Sequence, residues 1–181
     1  MLKTLTRIAS VAAVLSFTAA GHSQALPTAV GHGSFQVGGG WTYARPDYGQ
    51  KSIQGITGFA DFDFTQHLGV EAEYHYISLE TPTDLGENSF FIGPRVVLPR
   101  GRFSLYAKGL IGIGDIDIQE FQDNPQGGAG TYFAYGIGGG LDIRATQHLV
   151  IRAVDFEYQR WSYQTGLTPA VFTFGAAYRF R

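Results

Sequence analysis

The sequence predicts an all-β chain, a closed antiparallel up-and-down β-barrel of about eight strands. Three observations carry that prediction. Apolar residues recur with period two through eight successive segments, the pattern of strands with unlike faces. The connections between segments alternate between short turns and long polar loops. The 181 residues include 14 Phe, 10 Tyr and 25 Gly, a composition suited to pleated strands that approach one another closely.

In the first segment Phe35, Val37, Gly39, Trp41 and Tyr43 share one face, and Gln36, Gly38, Gly40 and Thr42 the other. The second sets Ile56, Gly58, Ala60, Phe62 and Phe64 against Gly55, Thr57, Phe59, Asp61 and Asp63. The third sets Leu68, Val70, Ala72, Tyr74 and Tyr76 against Gly69, Glu71, Glu73 and His75. The fourth, from about Asn88 to Leu98, opposes Phe90, Ile92, Val96 and Leu98 to Phe91, Gly93, Arg95 and Val97. Its Pro94 removes a ladder donor, so a bulge or an irregular pairing is expected there. The fifth has Phe103, Leu105, Ala107, Gly109, Ile111 and Ile113 on one face, with Ser104, Tyr106, Lys108 and Leu110 opposite.

The sixth opposes Phe133, Tyr135, Ile137, Leu141 and Ile143 to Ala134, Gly136, Gly138, Gly140 and Asp142. The seventh starts with Leu149, Ile151 and Ala153 against Arg152, then slips phase near Val154 and Asp155. Phe156 and Tyr158 thereby rejoin the apolar face opposite Glu157, which is what one extra residue in a β-bulge achieves. The eighth has Phe172, Phe174, Ala176, Tyr178 and Phe180 against Val171, Thr173, Gly175, Ala177 and Arg179. Short turns are expected at Thr65–His67, Pro99–Arg102 and Arg144–His148. Longer loops are expected near Arg45–Ile53, Leu79–Glu87, Asp115–Gly130 and Ser162–Thr168. Thr65-Gln66-His67-Leu68 recurs as Thr146-Gln147-His148-Leu149, each copy between two strands, as in hairpins built on one plan.

Lys3 and Arg7 precede an uncharged run from Ile8 to Ala20, with small residues Ser23 and Ala25 beyond it. This layout predicts a signal peptide over residues 1–25, an N-terminal leader over 26–33 and a barrel over 34–181. The apolar run falls short of the roughly 20 residues a transmembrane helix needs. Without Lys3 and Arg7, 11 Lys+Arg stand against 15 Asp+Glu, a mature net charge of −4, and no basic footprint for nucleic acid remains. The chain has no cysteine, which excludes disulfides and thiol chemistry.

Barrel size decides which face meets lipid. About eight strands enclose an interior that side chains fill, and small and charged residues suit it. Trp41, Tyr43, Tyr74, Tyr76, Phe133, Tyr135 and Tyr158 gather toward the loop ends of the strands. Phe62, Phe64, Phe103, Tyr178 and Phe180 gather toward the turns. Two aromatic girdles about an aliphatic band predict a transmembrane barrel. Closure is required, because each backbone amide left open in hydrocarbon costs several kcal/mol.

The C-terminal run Thr173-Phe174-Gly175-Ala176-Ala177-Tyr178-Arg179-Phe180 resembles the signal by which the barrel-assembly machinery recognises its clients. The resemblance assigns signal positions to Thr173, Gly175, Tyr178 and Phe180, and Arg181 departs from it by following the terminal aromatic. With Gly93-Pro94-Arg95 and the Tyr-rich seventh strand after Arg152, the mature chain resembles the OmpA/OmpX-like outer-membrane β-barrel family. That resemblance implies residence in a Gram-negative outer membrane among lipid and lipopolysaccharide, assembly by that machinery, and a monomer. The family's roles include membrane anchors, adhesins and narrow porin-like pores.

Alternation places Asp61, Asp63, Glu71, Glu73, Asp142 and Glu157 in the lumen with Arg95, Lys108, Arg152 and Arg179. Such charges are expected to pair, because an unpaired buried charge costs several kcal/mol. The network either plugs the barrel or, with Arg95 or Lys108 exchanging partners, gates a narrow pore. A lipid A-modifying enzyme would need a nucleophile, a base and an orienting acid within reach. His75 beside Glu73, with Ser78 three residues on, is read instead as a hydrogen-bonded lumen histidine. His67 and His148 read as turn residues, and His32 lies in the leader. Asp115, Asp117, Glu120 and Asp123 read as a solvated acidic loop without calcium-loop glycine spacing. The glycine clusters at Gly38–Gly40 and Gly136–Gly140 precede no helix and are not nucleotide loops. No catalytic residue, cofactor or metal ligand set is assigned, and a structural or surface-interaction role is expected.

Overall fold

The computed structural model describes residues 33–45, 52–77, 85–118, 129–162 and 168–180. The expected signal peptide, nearly all of the leader, Ser78, Glu120, Asp123 and Arg181 lie outside them. The strands are β1 (Ser34–Arg45), β2 (Ile53–Asp63), β3 (Leu68–Ile77), β4 (Leu85–Arg100), β5 (Phe103–Ile118), β6 (Ala129–Arg144), β7 (Leu149–Trp161) and β8 (Ala170–Phe180). They pair in chain order into one closed antiparallel barrel. Gly39 of β1 faces Gly58 of β2 on one side and Ala176 of β8 on the other, which closes the ring.

Faces alternate as a strand dictates, but the outside is greasy and the inside ionic. Ile137 is 68% exposed and Ile111 58%, while Glu71 is 0% and Arg152 1% exposed. That inversion of a water-soluble core is stable only in a bilayer, where the outward belt dissolves in lipid. The expected aromatic girdles are all on the outside: Trp41, Tyr43, Tyr74 and Phe133 toward one rim, Phe62, Phe103, Tyr178 and Phe180 toward the other.

Two sequence irregularities take definite form. On β7 the register against β6 shifts between Leu141 and Asp142, and that against β8 shifts between Arg152 and Asp155. Ala153 and Val154 thus form the expected bulge, and both Arg152 and Asp155 turn inward. Pro94 behaves differently. Ile92 pairs with Ile111 and Arg95 with Lys108, so the register is unchanged, and the two intervening pairs toward β5 are missing. The proline has no amide proton to give, so the ladder lapses there without bulging.

Two of the long connections, after β3 and after β5, are shorter than the residue pattern predicts. β4, β5 and β6 run 16 residues each, which takes Asp115 and Asp117 out of the expected acidic loop. Asp115 pairs with Thr131 across the ladder and accepts its hydroxyl at 2.5 Å. Polar residues continue the pairing past the lipid belt because backbone bonds, not side-chain burial, hold that stretch. At the other rim, Thr65 Oγ1 accepts the amides of His67 (3.2 Å) and Leu68 (3.0 Å). Thr146 Oγ1 accepts those of His148 and Leu149 at the same two distances. The four-residue repeat therefore builds one turn twice. Gly101, at φ 65°, makes the remaining tight turn, where a side chain would be strained.

Candidate functional site

The lumen is filled in layers. Nearest the loop-side rim, Ala44, Ile53, Ile77, Phe91, Leu110, Ala134, Trp161 and Val171 form a buried apolar plug. The Trp161 ring lies where a Cβ on Gly114 would approach it to 2.3 Å, so only glycine leaves it room. This plug departs from the expected lumen of small and charged residues. Trp161 was not singled out in the sequence, although its inward phase after Asp155, Glu157 and Gln159 could have marked it.

Below the plug, a hydroxyl layer joins three strands. Thr42 bonds Thr57 and, at 3.0 Å, Thr173. The Thr57 hydroxyl lies 2.6 Å from His75 Nδ1. Trp161 Nε1 donates to Gln159 Oε1 (3.1 Å), and Gln159 Nε2 donates to Glu157 Oε2 (2.9 Å). These bonds tie the apolar plug to the ionic layer.

At the centre, Lys108 Nζ stands within 2.9 Å of Glu71 and Glu73, 2.7 Å of Asp155 and 2.8 Å of Glu157. An ammonium has three hydrogens to donate, so four carboxylates enclose it on every side. Arg152 reaches Glu71 and Asp61, each at 2.8 Å, and Asp155 at 3.2 Å. Its guanidinium lies 3.7 Å from the Phe59 ring centroid. Arg95 binds Asp61 and, at 2.5 Å, Asp142, and stacks on Tyr106 at 4.1 Å. Gln36 adds a 2.5 Å bond to Asp61. Each ion's desolvation costs several kcal/mol, and only this density of partners offsets it.

The structure thus joins Asp61, Glu71, Glu73, Arg95, Lys108, Asp142, Arg152 and Glu157 into one connected cluster. Asp63 and Arg179 lie below it, lining a vestibule of about 340 Å³ that opens at the turn-side rim. Asp63 there accepts the Ser34 hydroxyl at 3.1 Å. Asp155 is an addition, brought in by the bulge. His67 and His148 are exposed in their turns, with His148 stacked on Tyr178 at 5.5 Å. Of the expected assembly-signal positions, Thr173 is buried in the lumen, while Tyr178 and Phe180 face outward.

Comparison with known families decides the affiliation. Residues 9–180 match the family described as Outer membrane protein beta-barrel domain. The chain belongs to that family. As a member, it is an integral protein of the outer membrane, set among its lipids. No curated protein matches the chain. Among solved structures, it is similar to Ail, the attachment invasion locus protein of Yersinia pestis, crystallised with the heparin analogue sucrose octasulfate. The TM-score is 0.61 at 20% identity, covering 83% of this chain and 100% of that one. Similarity to OprG of Pseudomonas aeruginosa has a TM-score of 0.56 at 14% identity, covering 82% and 96%. For Neisserial surface protein A the values are 0.55, 14%, 81% and 95%. At these identities the likeness establishes the outer-membrane barrel fold.

Proposed function

We propose that this outer-membrane barrel is a closed, non-enzymatic anchor that carries four long connections into surface contacts. The observation that supports it is the two-tier filling of the lumen, an apolar plug above an ion cluster. A channel would need both tiers to move, and moving the lower one would strip charges of their partners. Thr57, His75 and Glu157 do stand in the order nucleophile, base and acid. All three are buried, the plug lies above them and the ion cluster below, so no substrate reaches that hydroxyl. That burial supports a non-enzymatic role.

The four long connections leave from one rim, between Arg45 and Ile53, Ile77 and Leu85, Ile118 and Ala129, and Trp161 and Ala170. Ail, whose fold this barrel shares, is an attachment protein by its name, which supports an adhesive or ligand-holding role for that rim. The girdles would hold lipid and lipopolysaccharide, Thr173, Gly175, Tyr178 and Phe180 would guide delivery to the assembly machinery, and the closed barrel would act as a monomer. Replacing residues 46–52, 78–84, 119–128 and 163–167 in turn by short Gly-Ser linkers tests the reading. At least one replacement is expected to abolish binding to lipopolysaccharide or heparin while the barrel keeps its heat-modifiable gel shift. Unchanged binding in all four, or stable conductance steps in planar bilayers, would contradict it.

A further inference from the structure

The buried ionic layer has more carboxylates than cations. Asp61, Glu71, Glu73, Asp142, Asp155 and Glu157 are buried with Arg95, Lys108 and Arg152 as permanent cations, and His75 is the only other titratable base among the buried residues described. Among the described residues there are two trios of facing ligand atoms: Glu71, Glu73 and Asp155, and Glu73, His75 and Glu157. Lys108 fills the first and also reaches Glu73 Oε2 and Glu157 Oε1 of the second, leaving their other oxygens toward His75. In the second, His75 Nε2 is 3.3 Å from Glu157 Oε2 and 3.7 Å from Glu73 Oε1. Neither contact is a hydrogen bond: Nε2 and Glu73 Oε1 are both buried without a hydrogen-bond partner. The three ligand atoms lie within 4.8 Å of one another, so a cation seated among them would partner both.

We propose that Glu73, His75 and Glu157 form a binding site for a first-row divalent metal ion of the zinc class. One imidazole nitrogen and two carboxylate oxygens are a zinc-type donor set, and bonds of about 2.0–2.2 Å make tetrahedral edges of about 3.3–3.6 Å, close to the separations of 3.3 and 3.7 Å found here. The outer contacts are those a ligating histidine requires. His75 Nδ1 lies 2.6 Å from Thr57 Oγ1, and in the tautomer in which Nδ1–H donates to that hydroxyl, Nε2 keeps its lone pair for a metal. Gln159 holds Glu157 Oε2 at 2.9 Å. The dication also relieves the excess negative charge of the layer. Because the plug closes the lumen, the ion enters as the strands come together and adds to the stability of the closed barrel.

The test is to refold the full barrel from urea into detergent with zinc or cobalt(II), then remove free metal by gel filtration. Retention of about one zinc per barrel is expected, with the visible absorption of four-coordinate cobalt and a raised unfolding midpoint. His75→Gln and Glu157→Gln are each expected to lower retained zinc at least about tenfold while keeping the heat-modifiable shift. Zinc absent after refolding in excess metal overturns the proposal, as does equal retention by His75→Gln. Should those variants not fold, NMR of isotope-labelled histidine in the native sequence decides. Nε2 without a proton in the presence of zinc supports the site, and a protonated Nε2 under the same conditions overturns it.

Discussion

Trp161 donates its indole N–H to Gln159 Oε1 at 3.1 Å, two positions back on the same strand. That bond makes the tryptophan both a filler of the plug and a clamp on the residue that holds Glu157. Trp161→Phe keeps most of the volume but leaves a buried amide oxygen without its donor, a loss of about 1–3 kcal/mol. Trp161→Ala adds a cavity and is expected to cost about 3–5 kcal/mol. Urea unfolding in lipid vesicles, followed by loss of the heat-modifiable gel shift, reads both.

Lys108 is the centre of the ion cluster. Lys108→Met would leave Glu71, Glu73, Asp155 and Glu157 facing one another in a dry interior. Breaking a buried pair typically costs 3–5 kcal/mol, and the same vesicle measurement is expected to show a loss of about that size or more. Lys108→Arg is not expected to restore it, because a planar fork cannot face four carboxylates arranged about a point. Equal stability of Lys108→Met and the native chain would mean the cluster does not hold the barrel.

The bulge on β7 gives a prediction about chain length. Arg152 and Asp155 both face inward across Ala153 and Val154. Deleting Ala153 leaves a regular alternation with every other side chain on its original face. Deleting Phe156 instead restores alternation only by turning Asp155 out toward lipid and Val154 inward. The first deletion is expected to fold and the second to fail, as judged by outer-membrane yield and gel shift.

Lipid contact sets the last prediction. Ile137, on the outer face midway along β6, is expected to lose about 2–4 kcal/mol on replacement by Arg. Leu68, exposed at the turn-side end of β3, is expected to lose only about 0–1 kcal/mol. Equal costs at the two depths would argue against the bilayer placement.

Much of this was legible in one sequence, because period two survives burial in lipid as well as in a core. The faces of all eight segments, the slip at Asp155 and most of the ion cluster follow from alternation alone. What alternation hides is depth and distance across the barrel. Asp155 sits where the phase changes, so its side could not be read until the bulge residues were placed. The plug draws single residues from many strands, Phe91 from β4 and Trp161 from β7 among them, and no segment by itself is unusually apolar inside. His75 and Glu73 are neighbours on β3, but Glu157 reaches them from β7, a meeting visible only once the sheet has closed. The strand ends ran on past the apolar pattern because paired polar residues extend a ladder without marking it.

Lys108 on β5 finds its partners on β3 and β7, and none on β4 or β6, the strands it is paired with. Arg152 on β7 bonds Asp155 of its own strand and Asp142 of β6, but its two shortest contacts are to Asp61 on β2 and Glu71 on β3. The hairpins that carry Lys108 and Arg152 draw on strands across the barrel, so a half-inserted sheet would carry poorly paired ions into hydrocarbon. Such a chain has every reason to cross the membrane boundary late and as a nearly complete cylinder, with its neutrality acquired in the same event as its closure.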